Sequence, residues 1–175
     1  MNLILSIIIA GFVIYILLKF GLYLYRPFYL SKILRKTDEK YKKVLTHAER
    51  EIDAALEDLK KWQSDDKPHH PFGSEEEARE RVKGAELNKS HEEEVYSKFL
   101  RLRERFINTY IKLAESITIY QRYLDVRLSQ IQNAALFANA VTSGAISFDE
   151  MMASRNETII ILEENERKLD NLLTQ

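Results

Sequence analysis

The densest apolar pattern in the chain lies at its start. Residues 3–25, LILSIIIAGFVIYILLKFGLYLY, carry a single charge, Lys19, and from Leu3 to Leu18 there is none. At 1.5 Å rise per residue, about 20 residues cross a hydrocarbon core of about 30 Å. The pattern therefore predicts a transmembrane anchor over 1–26. Lys19 falls near one end, where its stem can carry the ammonium to the headgroups. Tyr23, Tyr25 and Tyr29 cluster where an interfacial aromatic belt belongs. With Lys19, Arg26, Lys32, Arg35 and Lys36 they make up the expected membrane-interface set. A cleavable leader is one rival reading; it calls for a basic start and a small-x-small site, and neither stands here. A buried core helix is the other, but an overall apolar share of 45% does not explain such dense apolarity at one end.

Past Pro27, which can end or kink a helix, the apolar spacing changes to threes and fours. Leu30, Ile33, Leu34, Tyr41, Val44, Leu45, Ala48, Ile52, Ala55, Leu56, Leu59 and Trp62 predict an amphipathic helix over 27–62. Residues 63–74, QSDDKPHHPFGS, break the pattern with two prolines and a glycine. Ser74 with Glu77 reads as a capping box opening a new helix. Segment 75–94 is heavily charged, with only Ala78, Val82, Ala85 and Leu87 able to pack. A solvated hinge helix is expected there, with a break near Asn88 and a second capping box at Ser90 and Glu93.

The longest predicted element runs from about residue 91 to 142. Phe99, Leu102, Phe106, Tyr110, Leu113, Ile117, Tyr120, Leu124, Ile131, Ala135 and Ala138 recur close to every 3.5 residues, as along a coiled-coil seam broken near Arg127 and Leu128. Ile107, Ile111, Ala114 and Leu128 widen that face beyond what one partner helix covers. About 50 helical residues would reach on the order of 75 Å, which suggests a stalk or contacts with other subunits. The end of the stretch, IQNAALFANAVTSGAI, is Ala-rich and uncharged, as in a tightly packed region. The candidate partner-binding residues are accordingly Phe106, Tyr110, Leu113, Ile117, Tyr120, Leu124, Ile131, Ala135, Phe137 and Ala138. Ser143-Gly144 suits a helix end. Ser147 with Glu150 caps a last helix, about 148–174, whose Met151, Met152, Ile159, Ile160, Leu162, Leu169, Leu172 and Leu173 can fold back on the long one. The expected fold is all-α: a single N-terminal transmembrane helix, then an elongated helical hairpin or three- to four-helix bundle with coiled-coil character over 75–175.

Composition narrows the function. The 175 residues hold no cysteine, which removes disulfides, thiolate metal sites and thiol nucleophiles. A net charge of −1 argues against a nucleic-acid binder. The charge is unevenly placed, however. From Lys19 to Arg50 nine Lys/Arg (19, 26, 32, 35, 36, 40, 42, 43, 50) face three acids (38, 39, 49). Such an excess holds its end of a span on the cytoplasmic side. The expected topology is a short N-terminus outside and the helical domain in the cytoplasm, or the equivalent organelle face. The same bases suit anionic headgroups, although a topology signal alone accounts for them.

Candidate chemistry is thin. His69-His70, with Asp65 and Asp66, is the best metal candidate, but the pair sits beside prolines with no third ligand fixed by spacing. No H-E-x-x-H, G-x-S-x-G or phosphate-binding glycine loop occurs. No cofactor, metal or small-molecule substrate is expected, and an enzyme is not. Lys98, Arg101, Arg103 and Arg105 read either as a dock for an acidic partner or as a solvated face paired with Glu94 and Glu104. Tyr110, Tyr120 and Tyr123 read as a core stripe or an apolar groove. Asn88 and Asn156 open glycosylation sequons that the expected topology leaves unused.

Three functional readings follow. The first is a non-enzymatic scaffold subunit, single-pass in the bilayer, bracing a larger assembly of other protein subunits. The second comes from YRPFYLSKILRKTDEKYKKVLTHAE, residues 25–49, which resembles the membrane-proximal part of rotary ATP synthase peripheral-stalk b subunits. That resemblance implies an accessory stalk of a motor, pump or transporter. The loop at 68–73 and the aromatic-rich helix depart from that family's unbroken Ala- and charge-rich stalk, so no residue role carries over. The third is a membrane-localised regulator that binds a cytosolic partner through the Ala-rich end.

Overall fold

The computed structural model describes residues 2–64 and 73–174, with residues 2–10, 18, 20–25, 135 and 138 described by backbone alone. Four helices follow in order: α1 (Asn2–Gln63), α2 (Glu75–Arg105), α3 (Tyr110–Thr142) and α4 (Phe148–Thr174). The described residues contain no strand. The chain divides into two compact units, Met1–Lys36 and Thr37–Gln175.

In the first unit α1 passes through Pro27, which neither ends the helix nor donates a backbone hydrogen bond. Ser31 Oγ donates to the Phe28 carbonyl at 2.9 Å, one turn back. Among the described residues, no helix is long and apolar enough to cross a membrane. The apolar run behind the expected anchor lies largely on residues 1–10, 18 and 20–25, outside the described side chains.

The second unit is a helical bundle whose core repeats one spacing. Thr37, Tyr41, Val44, Ala48 and Ala55 are buried on α1, and Glu92, Val95, Phe99 and Leu102 on α2, followed by Phe106. Leu113, Ile117, Tyr120 and Leu124 are buried on α3, and Leu162, Asn165, Leu169 and Leu172 on α4. Steps of three and four place each set along one stripe, the geometry by which helices mesh at shallow angles.

The predicted 91–142 helix is two helices. α2 ends at Arg105, where the Phe106 N–H donates to the Leu102 carbonyl at 2.9 Å and the Thr109 N–H to the Phe106 carbonyl at 2.8 Å. The Leu113 N–H then donates to the Thr109 carbonyl at 3.0 Å and α3 begins. The seven-residue seam runs unbroken in sequence from Phe99 through Leu113, so the pattern alone shows no interruption. Breaking there lets two half-seams face each other, burying both stripes within one chain. In place of a 50-residue stalk stands a bundle.

The expected hinge near Asn88 is also absent. α2 continues through Ser90, and Asn88 is bonded on both sides, to Glu51 of α1 and Arg127 of α3. Helix starts are set by caps. Ser74 Oγ accepts from the Glu77 N–H and the Ser74 N–H donates to Glu77 Oε2, both at 3.1 Å. Ser147 and Glu150 repeat the motif at α4, at 2.8 and 3.1 Å, and the Ser147 N–H and hydroxyl hold the Glu150 carboxyl below the usual carboxylate range. Between α3 and α4, Gly144 takes φ +73°, a left-handed conformation that lets the Ala145 N–H reach the Ala140 carbonyl at 2.8 Å.

Candidate functional site

Charge at a core position is the most informative feature of the bundle. Glu92 occupies the stripe that continues as Val95, Phe99 and Leu102, and it is 2% exposed. A lone carboxylate there would lose its hydration at a cost of several kcal/mol. Arg127 of α3 meets it, Nε donating to Glu92 Oε1 at 2.5 Å, while the Tyr123 hydroxyl donates to Oε2 at 3.0 Å. The rest of the guanidinium donates to Asn88 Oδ1 and Gln130 Oε1. Asn88 Nδ2 in turn donates to Glu51 Oε2 at 3.1 Å, and His47 lies 3.2 Å from the other Glu51 oxygen. Polar contacts thus tie α1, α2 and α3 at one level.

Against this network lies an aromatic stack drawn from the same three helices. Tyr41 and Tyr96 are stacked with centroids 3.7 Å apart, and Phe99 and Tyr120 with centroids 4.4 Å apart. Tyr96 and Tyr123 each lie 6.1 Å from Tyr120. Burial, then the nearby Glu93 carboxylate, pushes the Tyr41 phenol up to about 12. Burial raises Tyr120 and Tyr123 further, Tyr123 also feeling Glu92. Tyr123 is bonded inward to Glu92 while Tyr41 and Tyr120 are held by ring stacking, so the cluster packs the three helices together.

The ten candidate partner residues divide accordingly. Phe106, Leu113, Ile117, Tyr120 and Leu124 are buried in the core of their own chain, so they are packing residues and not a docking surface. Tyr110, Ile131 and Phe137 are half-buried, and the side chains of Ala135 and Ala138 lie outside the described residues. The tyrosine groove is filled by the stack. The basic residues of α2 are largely paired within the chain: Lys98 sits 3.1 Å from Asp170 and 3.4 Å from Glu94, Arg103 reaches Asp38 at 3.9 Å, and Arg105 donates to the Leu173 carbonyl, while Arg101 is exposed. Of the interface set, Lys19, Arg26, Tyr29, Lys32, Arg35 and Lys36 are exposed, and the side chains of Tyr23 and Tyr25 fall outside the described residues. The Lys19 ammonium is turned back over the Tyr15 ring, 5.6 Å from its centre, and not forward along the helix.

Two exposed apolar regions remain. In the first unit Phe12, Val13, Ile14, Tyr15, Ile16 and Leu17 are each 47–64% exposed. In the second, no described residue from 125 to 161 is buried, and Leu136, Phe148 and Ile160 stand in the open. That hairpin contains a charge-free run, residues 128–148.

Among the described residues no group of three His, Asp or Glu could hold a metal ion. His69 and His70 lie outside them. His91 pairs with Glu166 at 3.0 Å, joining α2 to α4. A shallow cleft of about 460 Å³ between α3 and α4 is lined by Glu115, Thr118, Ile119, Lys168, Asn171 and Leu172. Its Lys168 is taken by Glu164 at 2.7 Å.

The core network escaped the sequence reading, yet a signal was present. Glu92 stands three residues before Val95 and seven before Phe99, a charged residue in an apolar register. Its partner, 35 residues on, carries the same mark: Arg127 falls three residues after Leu124 and four before Ile131, where the apolar seam is broken. Comparison with family models, with curated proteins and with solved structures gives no match to this chain.

Proposed function

We propose that this is a non-enzymatic, single-pass membrane protein whose helical bundle serves as a scaffold subunit of a membrane-associated assembly. The observation that carries the reading is the exposure of Phe12–Leu17. Six successive residues at about 100° per residue go more than once around a helix. A protein partner covers one face of such a segment, whereas a bilayer covers all of them. The run from Leu3 to Tyr25, with Lys19 its single charge, supplies the length, and the bases from Arg26 to Lys36 supply the flank that orients a span toward the cytoplasm. The scaffold role rests on the bundle: its buried charges and tyrosines are bonded to one another and hold three helices in register.

Gentle extraction of the full-length protein from its own membrane, followed by native mass measurement, tests both parts. The expected result is a particle requiring detergent, with a mass above any simple multiple of 20.6 kDa and other polypeptides present. Release by high salt or alkaline carbonate alone would sink the anchor. A clean monomer would sink the scaffold role.

The regulator reading keeps one specific observation in its favour, the charge-free hairpin at 128–148 with Leu136 and Phe148 exposed. Under that reading the bundle presents the hairpin to a partner that comes and goes. A partner bound in substoichiometric amounts and lost on dilution is its signature.

A further inference from the structure

The first unit has a one-sided charge balance. Up to Lys36 it contains five bases, Lys19, Arg26, Lys32, Arg35 and Lys36, and the first acid of the chain is Asp38. Arg26, Lys32, Arg35 and Lys36 are all exposed, as are Phe28 (70%) and Tyr29 (46%) between them. At about 100° per residue, Arg26 and Arg35 lie on opposite sides of α1, with Lys32 and Lys36 between them along one flank. We infer that residues 26–36 of α1 form a one-sided basic patch for anionic phospholipid headgroups, with phosphates bound by Arg26, Lys32, Arg35 and Lys36 while Phe28 and Tyr29 enter the headgroup boundary.

The inference rests on the anchor reading and names the lipid class that the same helix selects. The four bases and both aromatics fall within one half of the circumference of α1, directly after the apolar run, so an inserted anchor sets them together at the level of the headgroups. Arginine adds forked donors that fit a phosphate. Exposed aromatics beside the bases fit the interface, where an amphipathic ring has one end in hydrocarbon and the other in water. A topology signal alone calls for the bases but gives no role to Phe28.

The test uses the full-length protein in nanodiscs of phosphatidylcholine containing a minority of phosphatidylglycerol, with native mass spectrometry reading the lipids that stay bound. The wild type should retain phosphatidylglycerol in clear excess over its share of the disc. That excess should shrink as salt rises, because the attraction is screened. Replacing Arg26→Gln, Lys32→Gln, Arg35→Gln and Lys36→Gln together should abolish it, at about fivefold for each base removed from near the surface. Retention in proportion to disc composition, or an excess indifferent to salt, overturns the inference while the anchor reading stands. Failure of the wild type to enter discs of either composition overturns both. The salt series on the wild type decides the matter even if the fourfold variant does not fold.

Discussion

Glu92 and Arg127 show how much a single buried pair can be asked to hold. Removing one partner strands the other in a medium that cannot solvate it, so Glu92→Ala should cost about 3 kcal/mol. The double replacement Glu92→Leu with Arg127→Met should recover most of that loss, since two apolar groups leave no stranded charge. Urea denaturation of both variants checks this, and additive losses would show that the pair is not coupled. The tyrosines make a second prediction at this scale. Below about pH 10 the phenols are neutral in folded and unfolded chains alike, and the stack stabilises in full. Above it the unfolded chain ionises its tyrosines while the fold keeps Tyr41 neutral up to about 12 and holds Tyr120 and Tyr123 still higher. The unfolded state then binds fewer protons, so stability falls as pH rises across this window. Helix content should therefore fall above pH 10 together with a late rise in tyrosinate absorbance beyond that of exposed tyrosines such as Tyr29; ionisation of all nine tyrosines with the helices intact would count against a sealed stack.

The helices owe their ends to local chemistry that contacts elsewhere either confirm or override. Ser74 and Ser147 begin helices where the sequence places them, because a hydroxyl and a glutamate three residues on satisfy backbone groups that a first turn leaves open. Ser90 and Glu93 have the same spelling and begin nothing. Their N–H groups already lie inside a helix that α1 and α3 hold on both sides at Asn88. Two glycines should respond to alanine with opposite signs. Gly144 holds φ +73°, so Gly144→Ala should lose about 1 kcal/mol. Gly84 lies mid-helix, and a methyl group added there would meet nothing within 4 Å, so Gly84→Ala should gain about 1 kcal/mol. Thermal denaturation of the pair reads both, and equal signs would refute the assignment of the turn.

Across the whole chain, what remains exposed is as informative as what is buried. The core of the second unit runs from Thr37 to Leu124 and resumes at Leu162, leaving the intervening hairpin without a buried described residue. If that hairpin docks onto another subunit, Leu136→Lys should leave the melting curve within about 0.5 kcal/mol of the parent, as for an exposed surface position. The same change should deplete the co-purifying polypeptides. An unchanged complex would move the docking surface elsewhere, and a marked loss of stability would show that Leu136 packs within its own chain.

By itself the sequence determined the all-helical class, the caps at Ser74 and Ser147 and the apolar concentration at the N-terminus, because each depends on residues within a turn or two of one another. Tertiary structure alone decided that the 91–142 seam folds into two helices and that Phe106, Leu113, Ile117, Tyr120 and Leu124 face inward. A heptad stripe records only that a face must be covered; whether a neighbouring helix or another subunit covers it depends on where the chain reverses. The pairing of Glu92 with Arg127 belongs to the same class. Their meeting is set by the relative placement of α2 and α3, and only when those helices pack does a carboxylate in an apolar register acquire the partner that makes its burial tolerable.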